Sequence, residues 1–522
     1  MRRGLTHKGI LPLALCLLAA LLLSFAASPT TAQQRRSQFR PDVRPQAQSQ
    51  AESNTPVKPE DNPLKPVPPS VTKQSITING QTLSYTATVG HMNMRDEKGR
   101  IIGYMYFTAY VKDGEEPTRR PLTFAFNGGP GSSSCYLHLL TIGPRRALLD
   151  EQGNTLPPPP RLVDNEFTWL QFTDIVMIDP IATGFSRAEP GIDYDRFFGV
   201  EEDAVSVADF VRLYITENDR WISPIFIAGE SYGGVRGSML VNELQDHYNI
   251  KLNVNGVIFI SPAYDVRVLH TWGGSNMSLA LYFPTFATTA WYHKKLAPEY
   301  QDNFDKLVAE AKAFAITEYL PALIRGSSLS EDEMRAVAEK MARFIGLSVD
   351  YIMEQKLRVN SIGFRDELLR SEGKSLDRLD ARFEAGAYEL MTTLSPLLHN
   401  YLKDELGYDT LTPYSVRAGI SEFRGWNWGQ DRGGFSVIDS LAETMNNNRA
   451  MKVFAAKGYY DYACPYYTVE YSLDQMLLKP GVRDNITQKV YHTGHMTYTS
   501  MKVLKAFTED VKQFIESAAN IK

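Results

Sequence analysis

Between the apolar run Ile225-Phe226-Ile227-Ala228 and a segment with helical spacing lie Gly229-Glu230-Ser231-Tyr232-Gly233-Gly234. A serine becomes an accessible nucleophile when a sharp strand-to-helix turn leaves its hydroxyl exposed above a helix N-terminus. The spacing predicts such an elbow at Ser231, with Gly229 and Gly233 glycine because a Cβ at either would crowd the turn. By itself Gly-x-Ser-x-Gly arises by chance in roughly one chain in six of this length, so the other parts must decide. A serine nucleophile needs a base, a carboxylate to orient that base, and donors for the developing oxyanion. Gly458-Tyr459-Tyr460-Asp461 and Thr493-Gly494-His495-Met496 follow the last two expected strands and offer the carboxylate and the base. His492 is the rival base, but it falls at the strand end, whereas His495 falls in the loop beyond it.

The elements around these residues follow from periodicity. Alternation over residues 75–85 gives a hairpin at Asn79-Gly80, and Ile101 to Val111 reads as a further antiparallel edge strand. Short apolar runs at Leu122-Phe126, Asp174-Asp179, Ile225-Ala228 and Val257-Ile260 alternate with helical spacing over Val200-Thr216 and Tyr232-Gln245. This rhythm predicts an α/β fold around a mostly parallel sheet. From Val266 to about Gln430 the spacing is helical, as in Met334-Phe344 and Leu376-Met391, with aromatic segments such as Leu281-Tyr282-Phe283-Pro284 between the helices. We expect a helical cap insertion over 266–430, splitting a catalytic domain into 71–265 and 431–522. Alternation resumes with a helix near Val437-Met445, strands at Met451-Ala456 and Gln488-Tyr491, and a terminal helix over Ser500-Ile515. Catalytic groups collect at the C-terminal ends of strands in such sheets. The chain order Ser231, Asp461, His495 is that of the α/β-hydrolase arrangement.

Together with Asn127-Gly128-Gly129-Pro130-Gly131-Ser132-Ser133, these motifs make the chain resemble the serine carboxypeptidases, the S10 peptidases, and particularly their bacterial exported members. The resemblance runs from about residue 75 to the C-terminus and includes Asp179-Pro180-Ile181-Ala182-Thr183-Gly184-Phe185-Ser186, with Ala182 where glycine is usual. It implies an α/β-hydrolase fold with Ser231 as nucleophile, His495 as base and Asp461 orienting it. The backbone amides of Gly129 and Tyr232 would form the oxyanion hole. Asn127, Gly128 and Glu230 would hold a peptide's terminal carboxylate. The family uses a second glutamate beside Glu230; here Thr141 stands in its place, able to hydrogen-bond Glu230 but not to share a proton with it. Ser132 replaces a disulfide cysteine common in relatives, and Ala125 an aromatic of the eukaryotic members. Arg145 and Arg146 could attract an anionic terminus or be structurally paired. The implied activity is release of C-terminal residues from peptides through an acyl-enzyme, with no cofactor and no metal. An esterase, an acyltransferase or a non-catalytic binding protein of the same fold remain as alternatives.

Composition narrows the classes further. With 522 residues, 43% hydrophobic, 22% charged and a net charge of -5, the chain is long enough for a large core and has no basic bias toward nucleic acid. Arg2, Arg3 and Lys8 precede an apolar run from Ile10 to Ala27, and small residues follow up to Ala32, the pattern of a secretory signal over 1–32. We expect an exported protein, periplasmic or secreted, touching a membrane only if this segment is left uncleaved. Residues 33–70 are rich in Gln, Pro, Ser and Arg and read as a disordered linker. Cys16 leaves with the signal, so Cys135 and Cys464 allow one disulfide at most.

Overall fold

The structure is a computed structural model that describes residues 66–247, 249–271, 275–386, 390–418, 425–429 and 434–520. The expected signal and most of the expected linker lie outside the described residues. The chain enters a central sheet at β1 (Ser70–Ile78), which turns through Asn79-Gly80 into β2 (Gln81–Arg95). β3 (Ile101–Lys112) continues the antiparallel edge, and β4 (Leu122–Phe126), β5 (Asp174–Ile178), β6 (Ile225–Glu230), β7 (Gly256–Ile260), β8 (Lys452–Gly458) and β9 (Ile486–Tyr491) follow. Their spatial order is β1-β2-β3-β5-β4-β6-β7-β8-β9, antiparallel from β1 to β5 and parallel from β5 to β9. β3 pairs with β5, so it joins the hairpin to the parallel strands and is not itself an edge.

The inner parallel strands, β5, β4, β6, β7 and β8, are apolar on both faces because two cores flank the sheet. Phe124 and Phe126, Ile225 and Ile227, Val257 and Phe259, and Val453 and Ala455 face one core. Their neighbours Ala125, Phe226, Ala228, Ile258, Ile260, Phe454 and Ala456 face the other. That burial on both sides is why these strands read as continuous apolar runs. Helices α1 (Val200–Glu217) and α2 (Gly233–Asp246) cover the first face, and the terminal helix of Met501–Ala518 covers the second.

A third core lies in the segment between β7 and β8, formed by helices α3 (Asn276–Tyr292) and α4 (Glu331–Ile345) and their neighbours. Two expectations change here. Leu281-Tyr282-Phe283-Pro284 is the buried middle of α3, with Pro284 inside the helix, and does not connect two helices. Its apolar residues line every side because the whole helix is enclosed, which erases the one-faced pattern that marks a surface helix. Residues 376–386 are not helical; the next helix begins at Met391. The Asp377 carboxylate accepts the amides of Leu379 and Asp380 at 2.7 and 3.1 Å, and Asp380 accepts that of Arg382 at 3.1 Å. These side chains take the amides that a helix would use.

Candidate active site

At the end of β6 the chain turns through Ser231 with φ of +61°, a left-handed conformation that costs a non-glycine residue about 1–3 kcal/mol. The turn is pinned by the Ser231 amide donating to Ile260 at 3.0 Å, and by its carbonyl accepting from Gly234 at 2.8 Å and Ala263 at 2.9 Å. A Cβ on Gly229 would lie 2.4 Å from the Gly233 carbonyl oxygen, as the elbow requires. Gly233 is different: its Cβ would meet nothing nearer than 3.4 Å, an ordinary contact, so space does not demand glycine there. The tight neighbour is Gly128, whose Cβ would fall 2.5 Å from both the Glu230 carbonyl oxygen and the Tyr232 nitrogen. The loop after β4 thus lies directly against the elbow.

Ser231 and His495 line one cleft of about 350 Å³, together with Asn127, Gly128, Gly129 and Glu230. A larger cavity of about 870 Å³, bordered by Asn79, Arg119 and Lys512, contains none of these residues. Asp461 Oδ2 lies 2.7 Å from His495 Nδ1 and is fully buried. A carboxylate only accepts, so Nδ1 carries the proton and Nε2 is left as the basic nitrogen. The other Asp461 oxygen accepts the amides of Ala463 and Cys464 at 2.7 and 3.0 Å, which fixes the carboxylate. Burial opposes the imidazolium, but the charge and hydrogen bond of Asp461, with a contribution from Glu230, hold the His495 pKa above the ordinary histidine value. His492 instead lies 3.0 Å from the Tyr460 hydroxyl in a ring cluster with Phe304 and Tyr459, and does not line the cleft. The amides of Gly129 and Tyr232 meet no acceptor among the described residues, and Gly129 is exposed to the cleft.

At one end of the cleft Glu230 is buried, and its Oε2 accepts both from Asn127 Nδ2 at 2.9 Å and from the Tyr498 hydroxyl. Asn127 is oriented in turn by the Leu137 amide, which donates to its Oδ1 at 3.0 Å. Burial is the main cause that lifts the Glu230 pKa to about 7; Asp461 adds to it, while His495 and the two hydrogen bonds offset part of it. With Oε2 accepting twice, the proton of the neutral acid belongs on Oε1, which has no protein partner among the described residues. A buried carboxyl that stays neutral below about pH 7 is a hydrogen-bond donor there.

The family model for serine carboxypeptidases matches residues 78–513. The chain belongs to the serine carboxypeptidase family. Among curated proteins it is similar to serine carboxypeptidase-like 45 of Arabidopsis thaliana, 24% identical over 47% of this chain and 55% of that relative. It is also similar to serine carboxypeptidase-like 20 of the same plant, 31% identical over 48% of this chain and 52% of that relative. The chain spans about half the length of these relatives. Among solved structures, the prohormone-processing carboxypeptidase Kex1(delta)p of Saccharomyces cerevisiae superposes with a TM-score of 0.55 at 18% identity, covering 84% of this chain and 91% of that one. The fold is the α/β-hydrolase fold.

Within this family the chain's departures have a local explanation. Thr141 is fully buried, its hydroxyl has no hydrogen-bond partner, and the bond to Glu230 of which its side chain is capable is not made. The partner is Tyr498, three residues beyond His495, where sequence offered no signal because the contact exists only once the loop after β9 folds back over β6. Arg145 and Arg146 are structurally paired, with Asp164 and Glu405 and with Glu166. The cationic side chains that do line the cleft are Arg378 and Arg417, which the sequence did not single out. Cys135 and Cys464 are both free and buried. Among the described residues no group of three His, Cys, Asp or Glu side chains is placed to hold a metal ion, and no helix is long and apolar enough to cross a membrane.

Proposed function

We propose that this protein is an exported serine carboxypeptidase that releases C-terminal residues from peptides through an acyl-enzyme. Ser231 Oγ attacks the scissile carbonyl carbon while His495 Nε2 takes its proton, and Asp461 stabilises the imidazolium so formed. The oxyanion is received by the amides of Gly129 and Tyr232, for which no acceptor is found among the described residues. Collapse breaks the C–N bond, and the proton on His495 goes to the departing amine. Water then attacks the Ser231 ester, gives its proton to His495, and leaves the shortened peptide with a new carboxylate and Ser231 with its hydroxyl restored.

The observation that carries the peptidase reading over a general esterase is Glu230. An ester hydrolase has no use for a buried neutral acid at the end of the cleft with its free oxygen unpartnered. A terminal carboxylate has: it accepts from the protonated Oε1 and from the Gly128 amide, and the acid loses this ability when it ionises. Export is part of the proposal on the strength of residues 1–32 alone.

The test compares a blocked dipeptide bearing a free C-terminus with its amide, across pH. The free acid should be cleaved at least about tenfold better below pH 7, and the preference should disappear as pH rises through about 7, the Glu230 value. Equal cleavage of acid and amide at pH 5–6 would leave an esterase or acyltransferase as the better reading. Covalent labelling by a fluorophosphonate, lost in Ser231→Ala, checks the nucleophile; an unlabelled folded protein would sink catalysis altogether.

A further inference from the structure

The charged side chains lining the cleft, among the described residues, are Glu230, His495, Arg378 and Arg417. Glu230 is neutral below about pH 7, so it supplies no standing negative charge there. Arg378 and Arg417 are exposed at the opening, and no carboxylate lies within ion-pairing distance of either among the described residues. This contrasts with the cations nearby: Arg382 is held by Asp380, and Arg145 by Asp164 and Glu405. The carboxylate next to Arg378 in sequence, Asp377, is turned to the amides of Leu379 and Asp380.

Neither arginine hangs on a free loop. Arg417 pairs with Ser132 in a β-bridge, and flanking bonds from Ser133 to the Val416 carbonyl at 3.0 Å and from Ala418 to the Gly131 carbonyl at 2.8 Å fasten it to the loop that carries Gly129. Arg417 lines the same cleft as Tyr136, Asn127 and Glu230. Arg378 is fixed on the opposite side: its carbonyl accepts the Tyr462 amide at 3.1 Å, and the carbonyl of the next residue, Leu379, accepts the His495 amide at 2.6 Å. One guanidinium therefore rides with the oxyanion loop and the other with the base. A cleft of only about 350 Å³ has no part remote from both. An arginine fork is suited to bidentate contact with a carboxylate, and a guanidinium is more weakly hydrated than an ammonium, so it gives up less solvation on making it.

We propose that Arg378 and Arg417 select substrates whose departing residue carries a negatively charged side chain, making the enzyme prefer peptides that end in glutamate or aspartate. The inference rests on the carboxypeptidase reading above. In it the terminal carboxylate is held by Asn127, Gly128 and Glu230, and the acidic side chain spans to the two guanidiniums.

The experiment measures kcat/KM for blocked dipeptides identical but for a C-terminal Glu, Gln or Lys. The full-length enzyme should favour Glu over Gln by about tenfold, one charge-assisted contact's worth, mainly through KM, with Lys the poorest. In the double variant Arg378→Gln/Arg417→Gln the Glu-to-Gln ratio should fall to about one, and in Arg378→Glu/Arg417→Glu the order should invert to favour Lys. Fluorophosphonate labelling of Ser231 in each variant shows that the site is folded, and the inverted order is a gain that misfolding cannot mimic. If the unaltered enzyme releases Gln or Lys at least as well as Glu, the proposal is overturned while the carboxypeptidase reading stands. If no free-acid dipeptide is cleaved by a protein whose Ser231 labels, the carboxypeptidase reading falls and the proposal falls with it.

Discussion

Two donors converge on a single oxygen of Glu230, and this asymmetry decides which way the acid points its proton. Asn127 and Tyr498 both favour the ionised form by donating to Oε2, while burial favours the neutral one and prevails. The sign of each change follows. Tyr498→Phe removes a bond that lowers the Glu230 pKa, so the pKa rises, and the alkaline limit of free-acid peptide cleavage should move up from about 7 by about one pH unit. Glu230→Gln acts differently: the two donors hold its amide oxygen at the Oε2 position and turn the NH2 toward the cleft, a donor at every pH. In that variant the alkaline loss should vanish from the kcat/KM profile of the peptide. Amide or ester substrates, which present no carboxylate, should show only the rise that accompanies deprotonation of His495, above the usual histidine range in the unaltered protein and lower in Glu230→Gln, which loses the contribution of the Glu230 charge. A profile for Tyr498→Phe that is displaced downward in pH would contradict the assignment of Oε2 as the acceptor.

The segment between β7 and β8 shares its core with the loops that carry the candidate site. Tyr460 and Tyr462, on either side of Asp461, belong to that core, and the Tyr462 hydroxyl donates to Thr289 of α3 at 3.0 Å. Leu379 takes the His495 amide, and Asp380 takes the Gly494 amide at 3.0 Å while paired with Arg382. Asp380→Ala would free the Gly494 amide and strand the buried end of Arg382, so we expect kcat to fall at least about tenfold with a smaller change in KM, and fluorophosphonate labelling of Ser231 to slow in parallel. A change confined to KM would mean that the loop only shapes the cleft. Deleting the stretch around Tyr282 would be a poor probe of a lid, since that residue is buried and its hydroxyl bonds the Leu269 carbonyl at 2.9 Å. These contacts also mark where the sequence stopped being legible. The inner strands of the sheet could be read because strands enclosed by two cores are apolar throughout, and Ser231 and Asp461 because each stands just after such a strand beside a glycine; His495 stands in a glycine-containing loop after β9, which is only partly buried. Residues 376–386 carry apolar side chains at helical spacing, yet Asp377 and Asp380 divert the amides, a competition that spacing does not reveal. Tyr498, Arg378 and Arg417 reach the cleft only through tertiary contacts, from parts of the chain that have no motif of their own.

Across the whole molecule the sheet separates chemistry from support. Asn127, Ser231, Asp461 and His495 all follow the C-terminal ends of parallel strands, β4, β6, β8 and β9. The opposite edge carries a charge cluster with no part in the cleft. Asp174, at the start of β5, is 1% exposed and accepts from Arg120 Nε at 2.7 Å, Arg220 Nη1 at 2.8 Å and the Lys112 amide at 3.0 Å. Arg220 further donates to the Arg120 carbonyl at 2.9 Å and to Ser223 at 2.7 Å, so the cluster ties β3, the entry to β4, β5 and the segment before β6 together. Removing the single carboxylate leaves two buried guanidiniums facing each other without compensation. Asp174→Ala should therefore cost about 3–5 kcal/mol of folding stability, seen as a lower denaturant midpoint with an unchanged slope. Nothing in the cluster touches Ser231, His495 or Glu230, so the fraction that remains folded should label with fluorophosphonate at the wild-type rate and keep the same acid-to-amide preference. Asp174→Asn, which preserves the acceptor oxygen but not the charge, should fall between the two. Loss of labelling rate in step with stability would instead couple the two ends of the sheet, and the division between a catalytic edge and a supporting edge would fail.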